Sequence, residues 1–392
     1  MRNHANRVSA MRDPSPCPAP ATDSTRPGER TLIAAAIIVG VLIVAASMVR
    51  YDGDIAGLIR FGAGETVAEQ TAHVEDVLGR DVATVDLLGH DGSMFFLQAL
   101  DPFYLSPDEH AVHLDRPIYR AQRMLFPTIA GLGGLLPPGA VLWTMALTNI
   151  AALALGTVAA GRLAVRLGGT HWLGLAFLLN PGVIFEFDIS GAGIAAFAAA
   201  LWGTLTLEEG RRRQAIVWFT AAVLAREVML LYLAGVCVYR LWQTRRIPWL
   251  LGSIPALSAV AWAGYVRLRL DSHDGVNEIQ GFGPPFGGIL DSFENWLENP
   301  VDLGVVAGLI IVMPLLILRT WQRPNALAFG ALGFIPLAIM MNQLVWWRFL
   351  NISRAVIPIM TAYVITAFSP GSPNTESRDE LPHTLDDTTA PF

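Results

Sequence analysis

GHDGSMFFLQALDPFYLSPDEHAVHLDRPIYRAQRMLFP, residues 89–127, places many charged side chains next to long apolar runs. The segment contains Asp91, Asp101 and the pair Arg120 and Arg123, with prolines that indicate turns between them. A long apolar run, Thr31–Val49, precedes it, and a large hydrophobic remainder follows it. Because charges are costly at membrane depth, we expect a polar loop around which the apolar segments are arranged.

The composition of the chain places it in a lipid bilayer. The 392 residues are 53% hydrophobic and 15% charged, with a mean hydropathy of +0.45, whereas a soluble protein carries about 25% charge. The net charge of −6 argues against nucleic-acid binding, which needs a basic patch. The two cysteines, Cys17 and Cys237, lie in a polar tail and an apolar run, so neither a disulfide nor a cysteine metal site is expected.

Apolar runs and arginine clusters together predict an all-α, polytopic integral membrane protein with about ten transmembrane helices. We expect a disordered cytoplasmic tail at 1–30, a multi-span domain at 31–368 and a disordered tail at 369–392. Extracytoplasmic loops are expected at 50–122, the larger of the two, and at 267–299. The predicted spans are Thr31–Val49, Val141–Ala160, Trp172–Phe187, Ile189–Leu207, Gln214–Trp242 as two short spans, Ile247–Val266, Val301–Leu318, Pro324–Met341 and Leu350–Phe368.

Two segments decide the orientation of these spans. Arg123–Leu136 is too short for an easy span and is treated as re-entrant, whereas Gln214–Trp242 is divided at Arg226-Glu227. This arrangement leaves the arginine clusters and both termini in the cytoplasm, as the positive-inside rule favours. The alternative makes the first segment a true span and the second a single one, which also gives ten spans but places Arg162 and Arg166 outside. We prefer the first arrangement.

The polar residues expected at the outer surface form a candidate active site. Asp91, before a turn-forming glycine, is placed to act as a general base towards a hydroxyl, although a plain Asp-Gly turn also explains it. Asp101-Pro102 supplies a second carboxylate, with a structural turn as its alternative. The residues expected to converge there are His90, Asp91, Asp101, Arg120, Arg123, Glu186, Asp188, Arg226, Glu227, Arg348 and Arg354.

The basic members of this set suit a phosphate group. Arg120 and Arg123 lie three residues apart, so a helix would place them on one face, and guanidinium groups match phosphate oxygens. Interfacial anchoring is the alternative for this pair, and a self-satisfied Arg226–Glu227 ion pair is the alternative for that dipeptide. No metal-ligand spacing is present, although Glu186 and Asp188 leave a divalent cation possible as a cofactor.

Two motifs resemble a branch of the bacterial GT-C glycosyltransferase class. HDGSMFFLQALDP at 90–102 is similar to the first-loop motif YDGxxYxxxAxDP, and DRPIYRAQRMLFP at 115–127 is similar to DxPxYRxxR followed by an aromatic residue and proline. The elements Gly53-Asp54, Asn180-Pro181-Gly182 and Arg226-Glu227 also look like family features. The chain departs from the pattern at His90, where tyrosine is usual, and at Phe95-Phe96, which lack a hydroxyl.

The resemblance implies a function and a set of roles. Asp91 would be the catalytic aspartate of the first external loop, and Arg120 and Arg123, together with Arg348 or Arg354, would hold the donor phosphate. The expected donor is a polyprenyl-phosphate sugar, the acceptor an envelope glycan or lipid, and the location the bacterial inner membrane, in contact with its lipids. A transporter or lipid flippase and a non-catalytic assembly protein for surface polymers remain the alternatives.

Overall fold

The computed structural model describes residues 26–85, 88–270 and 281–370, and these are mostly helical. Two short strands, β1 (Phe61–Gly62) and β2 (Thr84–Val85), pair in parallel. Single 3₁₀ turns lie at Ile55–Leu58, Glu65–Val67, Ala111–His113 and His171–Gly174. The α-helices are α1 (Arg26–Arg50), α2 (Ala68–Leu78), α3 (Asp91–Leu100), α4 (Pro107–His110), α5 (Pro117–Arg120), α6 (Leu125–Ala130), α7 (Pro138–Arg166), α8 (Leu175–Leu178), α9 (Pro181–Asp188), α10 (Gly193–Glu208), α11 (Arg212–Ala225), α12 (Met229–Thr244), α13 (Trp249–Arg269), α14 (Gly287–Asp291), α15 (Phe293–Glu298), α16 (Pro300–Gln322), α17 (Ala326–Leu332), α18 (Phe334–Met340), α19 (Gln343–Trp346), α20 (Phe349–Ala355) and α21 (Ile357–Phe368).

Among the described residues, four helices are long and apolar enough to cross a membrane. They are α1, α7, α13 and α16, and a fifth span results if α20 and α21, which meet at a 72° bend, count as one. Their lengths of 21 to 29 residues match the ~20 residues that cross the hydrocarbon core. An all-α membrane protein agrees with these helices.

Several predicted spans are interrupted rather than continuous. Trp172–Phe187 is divided into a 3₁₀ turn, α8 and α9, because Pro181 has no N–H to continue the preceding helix. Gln214–Trp242 is broken between α11 and α12 at Arg226–Val228, where the sequence predicted a division. Pro324–Met341 is divided at Gly333 into α17 and α18. Only part of the predicted ten spans therefore exists as single long helices.

One predicted boundary and one alternative span also change. The helix α1 begins at Arg26, so the predicted tail at 1–30 ends five residues too late; residues 1–25 lie outside the described part of the chain, as do 371–392 of the predicted C-terminal tail. Arg123–Leu136 contains only the six-residue helix α6, which is about 9 Å long. A helix of that length cannot cross a bilayer, so the alternative in which this segment is a true span is wrong.

The segment 50–122 is packed against α1, α6 and α7. Phe96 lies edge-to-face with Phe61 at 5.7 Å, and Phe95 lies in the same way against Phe126 of α6 at 5.4 Å. Gly92 fixes the start of α3, because an added Cβ would lie 2.5 Å from the carbonyl oxygen of Ile189 and 2.6 Å from that of Ile59. Only glycine permits this approach, and it brings Asp91 close to the loops that follow α9.

Three histidines link two parts of the segment 50–122. His73 of α2 has its Nε2 atom 3.0 Å from Nδ1 of His110, and its ring stacks on His113 at 4.1 Å between centroids. His110 and His113 lie in neighbouring turns of the chain, and the structure places both against His73. Protonation of this group brings positive charges together at a distance where repulsion is strong.

Lowering the pH should therefore loosen the segment 50–122. Burial, and then the charges of His113 and His110, lower the pKa of His73 below its ordinary value of 6.5, and burial lowers the pKa of His110. Because the folded pKa values lie below the unfolded ones, stability is complete above pH 6.5 and falls as the pH drops towards the folded pKa values. Thermal unfolding between pH ~7.5 and ~5 should show a larger drop for wild type than for His73→Phe, which keeps the ring but cannot be protonated. Equal drops would contradict the prediction.

Candidate functional site

The Asp91 carboxylate lies at the first residue of α3, between two arginines from distant parts of the chain. Arg120 Nη1 donates to Oδ1 at 2.7 Å, and Arg354 Nη1 donates to Oδ2 at 2.9 Å. The side chain is 16% exposed. Burial by itself would raise the pKa of Asp91, but the guanidinium groups of Arg354 and Arg120 outweigh it and hold the pKa well below its ordinary range. Asp91 is therefore ionised at every physiological pH.

Arg120 joins Asp91 to a second carboxylate, that of Asp115. Its Nε and Nη2 atoms donate to the two Asp115 oxygens at 2.8 and 2.9 Å, while Nη1 reaches Asp91. Asp115 opens the DRPIYR motif, five residues before Arg120, and Pro117 begins the short helix α5 that brings the two together. Sequence reasoning quoted this motif but did not select Asp115 as a site residue.

Arg123 forms a second ion pair, with Glu227. Its Nε and Nη2 atoms donate to the two Glu227 oxygens at 3.1 and 3.0 Å, and Nη2 also bonds the Tyr119 hydroxyl. The Arg123 guanidinium lies 4.7 Å from the centre of the Tyr119 ring, where a cation is attracted to the π face. Arg123 is 6% exposed. Glu227 lies in the break between α11 and α12, so the break itself supplies the buried partner of Arg123.

Arg226 forms a third ion pair, with Glu186 of α9 instead of its neighbour Glu227. Its Nη1 atom lies 2.9 Å from Glu186 Oε1, and the Gly193 N–H donates to Oε2 at 3.2 Å. A Cβ on Gly191 would lie 1.8 Å from Oε2, so a larger residue there would have to displace the buried carboxylate. The interpretation of Arg226 and Glu227 as a self-satisfied pair is therefore wrong.

Glu186 and Asp188, which the sequence suggested as ligands of a divalent cation, bind different arginines. Glu186 is bound by Arg226, whereas Asp188 accepts hydrogen bonds from Arg60 through its side chain and, at 3.2 Å, through its backbone carbonyl. Residues 26–85, 88–270 and 281–370 contain no group of three or more His, Cys, Asp or Glu side chains placed to hold a metal ion. Arg60 is a further residue of the site that sequence reasoning missed.

Two selected residues do not join the cluster. The Asp101 oxygens accept the backbone N–H groups of Leu105 and Ser106 at 2.9 and 2.8 Å, and the ten-residue helix α3 separates this turn from Asp91 by about 15 Å. Arg348 is exposed, and its side chain has no hydrogen-bond or ion-pair partner in the described part of the chain. The expected convergence is thus wrong for Asp101 and Arg348.

His90 lies at the edge of the cluster. Its backbone N–H donates to the Arg60 carbonyl at 3.0 Å, and its ring meets Phe185 edge-to-face at 5.9 Å between centroids. Burial, and then the charge of Arg60, lowers the pKa of the His90 imidazole. This residue is therefore neutral at neutral pH and adds no charge to the cluster.

The central cluster is balanced in charge. Arg120, Arg123, Arg226 and Arg354 supply four positive charges, and the carboxylates that they contact supply four negative ones. These carboxylates are Asp91, Asp115, Glu186 and Glu227. The 15% to 21% exposed pairs around Asp91 are more accessible to an incoming anion than the Glu186 pair.

An apolar cleft of about 590 Å³ lies beside the cluster. One wall includes Met124, the residue after Arg123, and another includes Leu224, three residues before Glu227. Helix α13 closes the third side, where Trp262 donates to the Ala121 carbonyl at 2.6 Å. The principal lining residues are Phe103, Leu105, Met124, Leu224, Trp262 and Tyr265. At Met124 the cleft lies next in sequence to Arg123, one of the arginines of the cluster.

No protein-family model, no curated protein and no solved structure matches this chain. The resemblance of its loop motifs to the GT-C class stays a prediction, and its function has to be argued from the geometry of the cluster and the cleft.

Proposed function

We propose that the protein is a membrane glycosyltransferase that moves a sugar from a polyprenyl-phosphate donor to an envelope glycan or lipid acceptor at the extracytoplasmic face of the bacterial inner membrane. The observation that carries the proposal is the Asp91 carboxylate held between Arg120 and Arg354, beside an open apolar cleft. A lipid-phosphate sugar has an apolar chain, a phosphate and a reactive sugar carbon. The cleft suits the apolar chain, the arginines suit the phosphate, and the Asp91 carboxylate suits the reaction at the sugar carbon.

Binding of the donor would prepare Asp91 for its role. The phosphate oxygens compete with Asp91 for Arg120 and Arg354, since guanidinium groups form strong, paired hydrogen bonds with phosphate. Release from an arginine raises the proton affinity of Asp91. The carboxylate, which is too weak a base while both arginines hold it, then becomes better suited to accept a proton from a hydroxyl.

The transfer itself follows from this arrangement. Asp91 takes the proton of the acceptor hydroxyl as the oxygen of that hydroxyl bonds to the sugar's anomeric carbon. The bond between this carbon and the donor phosphate oxygen breaks, and the electron pair leaves with the lipid phosphate. The arginines neutralise the charge that develops on the phosphate, which lowers the barrier because they are already in place.

Helix α13 suits the role of a lipid-facing wall. Large apolar side chains along it are exposed, among them Leu257 and Val260, and a bilayer would cover them. Tyr265 fastens the helix to the external loop through a 2.6 Å hydrogen bond to the Phe103 carbonyl. A polyprenyl chain could pass from the surrounding lipid into the cleft while its phosphate reaches the arginines.

The proposal is tested with purified protein in detergent and a panel of polyprenyl-phosphate sugars. The expected result is release of free polyprenyl phosphate from at least one donor, dependent on an added acceptor. Polyprenyl phosphate without a sugar is the matched blank, and Asp91→Asn is the matched inactive variant. A donor that remains chemically unchanged throughout the panel, with protein shown to be folded, would count against an enzyme.

A transporter or lipid flippase is the second candidate, and the interrupted helices favour it. The break between α11 and α12 contains Arg226 and Glu227, and α20 meets α21 at a 72° bend near Arg354. Broken helices with charged residues are typical of transport sites. A transporter would bind the lipid without converting it and would move it across liposome membranes. Binding with neither conversion nor movement would instead indicate an assembly protein for surface polymers.

A further inference from the structure

The turn Asn180-Pro181-Gly182 ties the start of α9 to the last helix. Asn180 is 3% exposed, and its Oδ1 atom accepts the Gly182 N–H at 2.9 Å. Its Nδ2 atom donates to the Ile357 carbonyl at 3.2 Å and to the Thr361 hydroxyl at 3.1 Å. One buried amide therefore caps α9 and holds the first turn of α21.

Gly182 sets how closely α9 approaches α20. A Cβ at this position would lie 2.2 Å from the carbonyl oxygen of Ser353 and 2.8 Å from the backbone nitrogen of Arg354. Both are backbone atoms, so no side chain can rotate to make room. Any larger residue at 182 must move α20, and Arg354 moves with it.

The place of these contacts matters because α20 and α21 are separate helices. The chain bends by 72° between Ala355 and Ile357, immediately after Arg354. Within a membrane, a broken helix depends on neighbouring groups to bond the backbone atoms that the break frees. Asn180 contacts the far side of the bend and Gly182 the near side, so the turn touches the chain on both sides of the bend that follows Arg354.

We propose that Asn180 and Gly182 are positioning residues, which place Arg354 against the Asp91 carboxylate 2.9 Å away. Helix α9 also carries Glu186, whose partner Arg226 lies 3.5 Å from the Arg354 carbonyl. The inference rests on the proposed function only in taking the Arg354 guanidinium as a contact for the donor phosphate. The placement of Arg354 itself is a structural property that is measurable without any ligand.

The first test is a double-mutant cycle, read on the thermal unfolding midpoint without ligand. Asp91→Asn and Arg354→Gln should each lower the midpoint by several degrees, and together they should lower it by less than the sum, since they remove the same contact. In Gly182→Ala protein the contact between Asp91 and Arg354 is expected to be lost already. The decreases in midpoint caused by Asp91→Asn and Arg354→Gln should then add. The same cycle in Asn180→Asp, which keeps the bond from the Gly182 N–H but removes the amide donor, should also become additive.

Gly304→Ala is the matched control, because a Cβ on this glycine of α16 meets nothing within 4 Å. In Gly304→Ala protein, the decreases in midpoint caused by Asp91→Asn and Arg354→Gln should be as far from additive as in wild type. If Gly182→Ala does not fold, Asn180→Asp provides the cycle. Wild-type coupling in the Asn180 and Gly182 backgrounds would overturn the inference, because it would show that Arg354 reaches Asp91 without the turn.

The second test measures binding of farnesyl phosphate, with farnesol as the control lipid. Arg354→Gln should weaken binding about tenfold or more, and Gly182→Ala should weaken it similarly. The combined variant should bind no more weakly than either alone, whereas general destabilisation would make the losses add. Absence of binding to wild-type protein would contradict the proposed donor class, while the unfolding cycle would still decide whether the turn positions Arg354.

Discussion

Asp91→Asn should lower turnover at least ~100-fold in the donor assay, since a positioned general base contributes about 10²- to 10⁴-fold. The substitution keeps the size of the side chain but removes its negative charge and its ability to accept a proton. A loss of that size corresponds to about 3 kcal/mol of activation free energy. The folded fraction must be measured beside turnover, because Arg354 loses its carboxylate partner in this variant.

Asp101→Asn is the matched control for Asp91→Asn. Asp101 follows α3 at its other end, and both oxygens accept backbone N–H groups, so its loss should cost about 1 kcal/mol of stability and little activity. Full activity in Asp91→Asn with an inactive Asp101→Asn would show that Asp101 is the catalytic carboxylate. Full activity in both variants would remove the external loop from the mechanism.

Glu186→Gln should lower the free energy of unfolding by about 3–5 kcal/mol, which is the usual effect of removing one partner of a buried ion pair. The Glu186 side chain is 3% exposed and that of Arg226 is 13% exposed, so the arginine would keep its charge without water to solvate it. Unfolding in denaturant measures the loss. The double variant Glu186→Gln, Arg226→Met should be more stable than Glu186→Gln alone, because no unpaired charge remains.

Arg80→Gln is the matched control for Glu186→Gln, because it breaks an exposed ion pair instead of a buried one. Arg80 also forms a two-bond ion pair, with Asp54 at 2.9 and 2.8 Å, but its side chain is 45% exposed. Exposed pairs contribute about 0–1 kcal/mol, and Asp54 keeps its hydrogen bonds from Ala56 and Ala83. Equal losses in Arg80→Gln and Glu186→Gln would contradict the argument that burial makes the Glu186 pair important.

Local signals in the sequence selected Asp91 and both arginines that bind it, Arg120 and Arg354, although the arginines were selected as phosphate contacts and not as partners of Asp91. The resemblance singled out Asp91, and the spacing of the second motif selected Arg120, which does bind Asp91. The same motif could have indicated Asp115, because it lies five residues before Arg120 in DRPIYR. Arg60 was not, because nothing near it in the chain indicates that its partner is Asp188, 128 residues away.

The sequence alone determined the class of the protein and the helix break at Arg226-Glu227, whereas the breaks inside the spans predicted at Trp172–Phe187, Pro324–Met341 and Leu350–Phe368 were not predicted. Low charge and long apolar runs are properties of composition, and Pro181 and the Arg226-Glu227 dipeptide interrupt helices through local chemistry. Only the tertiary structure decided which charges pair. Arg226 binds Glu186, 40 residues away, and Arg123 binds Glu227, 104 residues away, although Arg226 and Glu227 are neighbours. An ion pair depends on distances of about 3 Å between side-chain atoms, and those distances are set by how the helices pack in three dimensions, not by proximity along the chain.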